Sequence, residues 1–182
     1  LLAIPAALPG VLMPFFVQYT IGVSAGWTAA LILVYLVSGF VALPFWTRMA
    51  QRHGKRAIFL CAGAIGVSGG GLMMLIGPGD TALALALEVY VGLQSQVWTM
   101  LSGAMSADII DYDELLTGKR REGQFGALMS IVPKFAMIPG AAIPLAVLGG
   151  LGYVPNASTQ SPEVLYALRL MFALVPALFN AA

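Results

Sequence analysis

The sequence predicts an all-α membrane protein of six transmembrane helices, and three observations carry that prediction. Only 9% of its 182 residues are charged while 59% are hydrophobic, and the mean hydropathy is +0.89, far from the roughly 25% charge of soluble domains. The first charged residue is Arg48, so residues 1–47 form one uncharged stretch, enough for two spans of roughly 20 residues and a turn. The remaining apolar runs lack the ten-residue apolar/polar alternation of a membrane barrel, and lipid offers the backbone no partner, so the spans are helices.

Taken in order, spans are bounded by uncharged length and broken by Gly, Pro or charge. The first covers about 3–21 and the second about 26–46. The third, about 57–77, closes in the turn "GPGD". A fourth runs over about 81–107, interrupted only by Glu88, and a fifth over about 123–149, interrupted only by Lys134. The sixth starts near 163 and reaches 182. The chain starts and stops inside apolar segments, which is expected of a piece of something longer. Two charged loops are expected, 47–56 and 108–122. They hold seven of the nine bases, against none in the alternate connections, so the positive-inside rule places both in the cytoplasm. A net charge of +1 gives no electrostatic case for nucleic acid, and the single Cys61 excludes a disulfide within the chain and reads as a packing residue. "NAS" at 156–158 formally matches a glycosylation acceptor, a tripeptide frequent by chance.

Ionisable residues inside spans are costly and mark function. Lys134 falls about eleven residues into the fifth span, about 16 Å at 1.5 Å per residue, near the bilayer middle. It calls for a water-filled cavity or an acid, the bland alternative being a structural ion pair between two helices. Pro133, Pro139 and Pro144 interrupt the same span, and broken helices beside a buried charge line substrate paths in transporters. Glu88 lies in the outer half of its span and is one candidate partner. Gln94, Gln96 and Trp98 place amides and an aromatic face near the midplane, which suits a hydroxyl-rich ligand or, equally simply, interhelical hydrogen bonding. "GVSGGGLMMLIG" in the third span reads as close helix packing.

The charged stretch "ADIIDYDELLTGKRREGQFGALMSIVPKF", with "LGYVPN" beyond the next span and "RHGKR" in the earlier loop, resembles the glycoside–pentoside–hexuronide:cation symporters, the melibiose permease-like branch of the major facilitator superfamily. The motif similarity covers about 40–182. The resemblance implies a twelve-helix fold of which this chain is the C-terminal six-helix half, its partner being the N-terminal half, in a bacterial inner membrane. It implies symport of a sugar with sodium or protons by alternating access, with no other cofactor and with the main cation site in the N-terminal half. The Lys matching Lys134 lies at the sugar and cation region of such relatives, and the Trp matching Trp98 stacks on the sugar. Met129 and Ser130 stand where an amide and a hydroxyl contact it, and Pro133 replaces an aliphatic residue. The expected substrate set is therefore Lys134, Trp98, Ser130, Gln94 and Met129. The departures at Met129 and Pro133 keep a lysophospholipid carrier as the alternative.

The charged loops are expected to act as a cytoplasmic gate. Asp108, Asp111 and Tyr112 share one face of a continuing helix, and with Glu114, Arg120, Arg121, Glu122, Arg52 and Arg56 they offer pairs that form in one state and are solvated in the other. The plain alternative is a solvated loop whose bases set topology. A remote alternative is a membrane transferase holding Mg²⁺ on Asp108 and Asp111, which needs further carboxylates, while Asp80, Glu88 and Glu163 fall toward the other face. A non-transporting scaffold would have no need of Lys134.

Overall fold

The structure, a computed structural model, describes residues 3–24, 26–155, 157 and 159–181, with side chains described from Ala7 onward. All regular structure among these residues is helical. Helix α1 (Ala3–Phe15) continues into a π-helical turn, Phe16–Ile21, and stops at Gly22. Then come α2 (Gly26–His53), α3 (Lys55–Met73), α4 (Thr81–Gly92), α5 (Ser95–Thr117) and α6 (Glu122–Gly150). The last rod is α7 (Pro162–Arg169), a second π-helical turn (Leu170–Leu174) and α8 (Val175–Ala181). Pro176 lacks an N–H and crowds the Phe172 carbonyl one turn back, a physical reason for the widened turn there. Ser161 caps this rod by accepting from the Val164 N–H at 3.3 Å, with Pro162 in the first helical position.

Four rods are long and apolar enough to cross a membrane: Gly26–His53, Lys55–Met73, Glu122–Gly150 and Pro162–Ala181. The first predicted span is the shorter apolar helix Ala7–Ile21. The fourth is corrected: instead of one rod over 81–107 there are two helices, parted at Leu93–Gln94. Both charged loops are corrected as well. The expected loop 47–56 is helix except for Gly54, whose φ of 84° turns the chain, and the loop 108–122 shrinks to 118–121 around Gly118 at φ 65°. In both places the sequence contains helix formers up to the glycine. Charge marks where the chain leaves the apolar layer; the left-handed glycine marks where the helix ends. Asn156 and Ser158 lie outside the described residues, as does Ala182.

α1 packs on α6, α2 on α4, and α3 on both α4 and α8. Gly66, Gly69 and Gly70 of the third span sit at these contacts. A methyl on Gly70 would lie 2.5 Å from the Ala173 carbonyl and 2.6 Å from Ala177 Cβ, and one on Gly66 would meet Asn180. Cys61, in contrast, is exposed on α3 and fills no core position. Two apolar clusters form. The one away from the charged end gathers Leu12, Phe16, Leu87, Leu148 and Phe172, the Phe16 and Phe172 rings stacked at 4.2 Å across the two π turns. The other, toward the charged end, gathers Ala42, Trp46, Ile58, Ala62, Val97 and Leu101. At the opposite end the Gly79 N–H donates to the Ile21 carbonyl at 2.8 Å, and Tyr153 packs edge-on against Phe15 and Tyr19, tying the uncharged connections to α1. The buried residues of α6 are Gly140, Pro144 and Leu148, all in the half away from the charged end, so α6 is held there and faces α5 across a groove before the turn 118–121 joins the two.

Candidate substrate groove and charged rim

The separation of α5 from α6 leaves an open groove of about 580 Å³ in the half of the bundle nearer the charged end. Thr99, Ser102 and Ser106 line it from α5, and Met129, Val132 and Pro133 from α6. Positions 99, 102 and 106 recur at helical spacing, so one face of α5 presents a line of hydroxyls. Two of them are turned onto the backbone: Ser102 donates to the Thr99 carbonyl at 3.1 Å and Ser106 to the Ser102 carbonyl at 2.6 Å. Ser106 also lies 2.7 Å from the Met129 sulfur, bridging the two walls. The groove wall from α6 is apolar and that from α5 weakly polar.

Of the five substrate residues expected from sequence, only Met129 lines this groove. Ser130 is exposed and its hydroxyl donates to the Ala127 carbonyl at 3.0 Å. Lys134 projects about 100° from Pro133 and about 160° from Val132 around the helix, is exposed, and forms no ion pair among the described residues. It lies twelve residues from the start of α6, about 18 Å along the helix. Trp98 is half-buried, edge-on to Phe59 at 4.7 Å and packed on the inner cluster. Gln94 is buried at 7% exposure in the α4–α5 break, its carboxamide oxygen without a partner among the described residues.

That break is built rather than accidental. Gly39 of α2 and Gly92 of α4 bring the two backbones together: a methyl at Gly92 would lie 2.6 Å from the Tyr35 carbonyl, and one at Gly39 2.9 Å from the Gly92 carbonyl. The Trp46 indole N–H then donates to the Leu93 carbonyl at 2.7 Å, satisfying a group that the interruption frees from the helix ladder. Sequence reading missed Trp46, because a tryptophan in an apolar run gives no sign of the carbonyl it will meet 47 residues away. It also missed Arg169, half-buried in α7 with its Nε unpartnered among the described residues; one arginine inside the last apolar run was the available signal.

At the charged end, Asp108 pairs with Lys55 across α3 and α5 at 2.5 Å, and the same ammonium donates to the Ala104 carbonyl at 3.1 Å. Arg121 grips Asp113 with two hydrogen bonds, Nε at 3.0 Å and Nη2 at 2.5 Å, and Arg120 lies 3.5 Å from Glu114 and 3.1 Å from Glu122. These pairs lock the α5–α6 turn upon itself. Asp111, Tyr112, Arg52 and Arg56 are exposed and carry no ion pair among the described residues. Asp108 and Asp111 do share the α5 helix, as expected. Lys55, in the charged loop but outside the expected gate set, is the base that Asp108 uses. Among the described residues no three His, Cys, Asp or Glu side chains gather to hold a metal.

Comparison with known proteins adds to this geometry. A family model described as MFS/sugar transport protein matches residues 2–182. The chain is 31% identical over 162 residues to a glucuronide carrier protein homolog of Escherichia coli, covering 89% of this chain and 35% of that protein. It is 28% identical over 173 residues to an uncharacterized symporter of a Synechocystis species, covering 92% and 32% respectively. With the isoprimeverose transporter of Lactiplantibacillus pentosus it shares 31% identity over 140 residues, 75% of this chain and 28% of that one. The chain thus spans about a third of the length of these three relatives.

Proposed function

Because the chain belongs to the MFS/sugar transport proteins, within the glycoside–pentoside–hexuronide:cation symporters, and is a multi-pass membrane protein, we propose that it is the C-terminal half of a secondary active transporter. In this reading the whole protein moves a sugar or glycoside together with sodium or a proton by alternating access. The observation that carries it is Lys134. An uncompensated lysine at mid-span costs at least about 2.5 kcal/mol, yet α6 presents it unpaired on a face that this chain leaves open. That face is where an acid or a water-filled cavity shared with the rest of the protein would compensate it. The α5–α6 groove would form one wall of the path toward the charged end, which the positive-inside rule assigns to the cytoplasm of a bacterial inner membrane.

At that rim the gate narrows. Asp108, Asp113, Glu114, Arg120, Arg121 and Glu122 satisfy one another or Lys55 within this chain, so a latch to the other half rests on Asp111, Arg52 and Arg56, with Tyr112 beside them. The lysophospholipid alternative draws on one feature, the apolar wall of Leu128, Met129, Val132 and Pro133, which would accept an acyl chain.

Uptake by the full-length parent in proteoliposomes tests these readings, with labelled galactosides, pentosides, hexuronides and a lysophospholipid, under imposed sodium or proton gradients. Gradient-stimulated uptake of one glycoside, lost in Lys134→Ala, is the expected result. Movement of the lipid alone would transfer the protein to the lipid carriers, and undiminished uptake by Lys134→Ala would overturn the role given to the lysine.

A further inference from the structure

Three arginines around the turn between α2 and α3 are left without acids. Arg48, Arg52 and Arg56 are exposed and form no ion pair among the described residues, whereas Lys55, in the same turn, is held by Asp108. Residues 47–56 contain no Asp or Glu. Of the five acids in 108–122, four are taken by Lys55, Arg120 and Arg121, and Asp111 alone remains. The charges of the turn are therefore not balanced by this chain.

The arginines also continue apolar faces. On α2, Val41, Phe45, Arg48 and Arg52 follow at i, i+4, i+7 and i+11, one side of the helix, and Val41 and Phe45 are 73% and 55% exposed. On α3, Arg56, Leu60 and Val67 recur at i, i+4 and i+11, with Leu60 62% exposed. Arg52 and Arg56 flank Gly54, whose left-handed backbone turns α2 into α3, and the two helices pack together. Arg48 lies one turn, about 6 Å, deeper than Arg52. Whatever covers this surface has to bring apolar groups to the span and negative charge to the turn, at adjacent depths. An anionic phospholipid does both in one molecule, its acyl chains on the apolar faces and its phosphate accepting from the guanidinium forks. A soluble acidic segment would meet only the arginines. α6 packs on α1, α1 on α8 and α8 on α3, so two helices separate the α3 face from the lysine-bearing helix that is left open to the rest of the protein.

We propose that Arg52 and Arg56, with Arg48 one turn deeper, bind the phosphate of an anionic phospholipid from the leaflet at the charged end, its chains lying on the adjoining faces of α2 and α3. The site rests on the membrane-spanning fold and not on the transport reading. The cytoplasmic latch draws on the same Arg52 and Arg56, so lipid and latch exclude each other at any one moment. Native mass spectrometry of the purified full-length parent, released from micelles doped with dioleoyl phosphatidylglycerol or dioleoyl phosphatidylcholine, counts each lipid bound. Wild type should retain phosphatidylglycerol in preference to phosphatidylcholine. Arg52→Gln combined with Arg56→Gln should weaken phosphatidylglycerol binding about 25-fold, about fivefold for each arginine, and leave phosphatidylcholine unchanged. Lys119→Gln, which removes an exposed base of the α5–α6 turn, should change neither. Equal retention of the two lipids, or equal losses in Lys119→Gln and the double variant, would overturn the site. Unchanged phosphatidylglycerol binding in the double variant, with a shifted balance of inward- and outward-open states, would give the arginines to the latch alone and overturn it too. If the double variant does not assemble, the single variants decide: a loss of about fivefold in either supports the site, and no loss in both refutes it. A parent that moves no glycoside but shows the arginine-dependent lipid binding refutes the transport reading alone.

Discussion

Two adjacent glycines of α3 should respond in opposite ways to the same substitution. A Cβ at Gly70 would sit 2.5 Å from the Ala173 carbonyl and 2.6 Å from Ala177 Cβ, whereas at Gly71 nothing lies within 4 Å. Ordinary carbon contacts are about 3.5–4.0 Å, so Gly70→Ala forces α3 and α8 apart by about an ångström, and neither obstacle is the far end of a flexible side chain. Overpacking of that kind costs about 1–3 kcal/mol, offset by up to about 1 kcal/mol from replacing a helical glycine. Gly70→Ala should therefore lose about 1–2 kcal/mol and Gly71→Ala lose nothing or gain up to about 1 kcal/mol. Denaturant titration of the full-length parent, followed by helix content, reads both. Equal shifts for the two variants, or a Gly70→Ala midpoint at or above wild type, would refute the packing argument.

Trp46→Phe keeps an aromatic ring but leaves the Leu93 carbonyl unsatisfied, an expected loss of about 1–3 kcal/mol; faster amide exchange confined to residues near the α4–α5 break would accompany it. Asp113→Ala removes the two-bonded partner of Arg121, whose own carboxylate is only 18% exposed, and should cost more than Asp108→Ala, where the pair with Lys55 is open to water and worth about 0–1 kcal/mol. High salt should reduce the cost of Asp108→Ala more than that of Asp113→Ala. Charge reversal in Asp111→Lys should leave stability within about 0.5 kcal/mol but change the balance of inward- and outward-open states, read by cysteine accessibility from each side of the membrane.

Apolar run lengths made the helices legible, and the glycine-rich third span announced its close contacts. What misled was the equation of charge with loop. Residues 47–53 and 108–117 stay helical, because leaving the lipid does not end a helix until a glycine turns the backbone. The α4–α5 break carries no proline and was invisible in hydropathy; its causes, the Gly39–Gly92 contact and the Trp46 bond, lie between residues roughly fifty apart. The candidate site was legible only in part. Met129 lines the groove, but the resemblance gathers Lys134, Trp98 and Ser130 around one ligand and the residue chemistry adds Gln94, while this chain alone directs them to different surroundings.

The one-sided attachment of α6 makes it a lever. It is gripped around Pro144 and Leu148, while Glu122 lies about 33 Å away along the axis. A tilt of only about 10° at the gripped end would carry the Glu122 end, with the paired turn that joins it to α5, through about 6 Å over that length, more than a helical turn. A slight rotation about the gripped residues would thus widen or narrow the α5–α6 groove, with the proline-bearing rod transmitting the stroke.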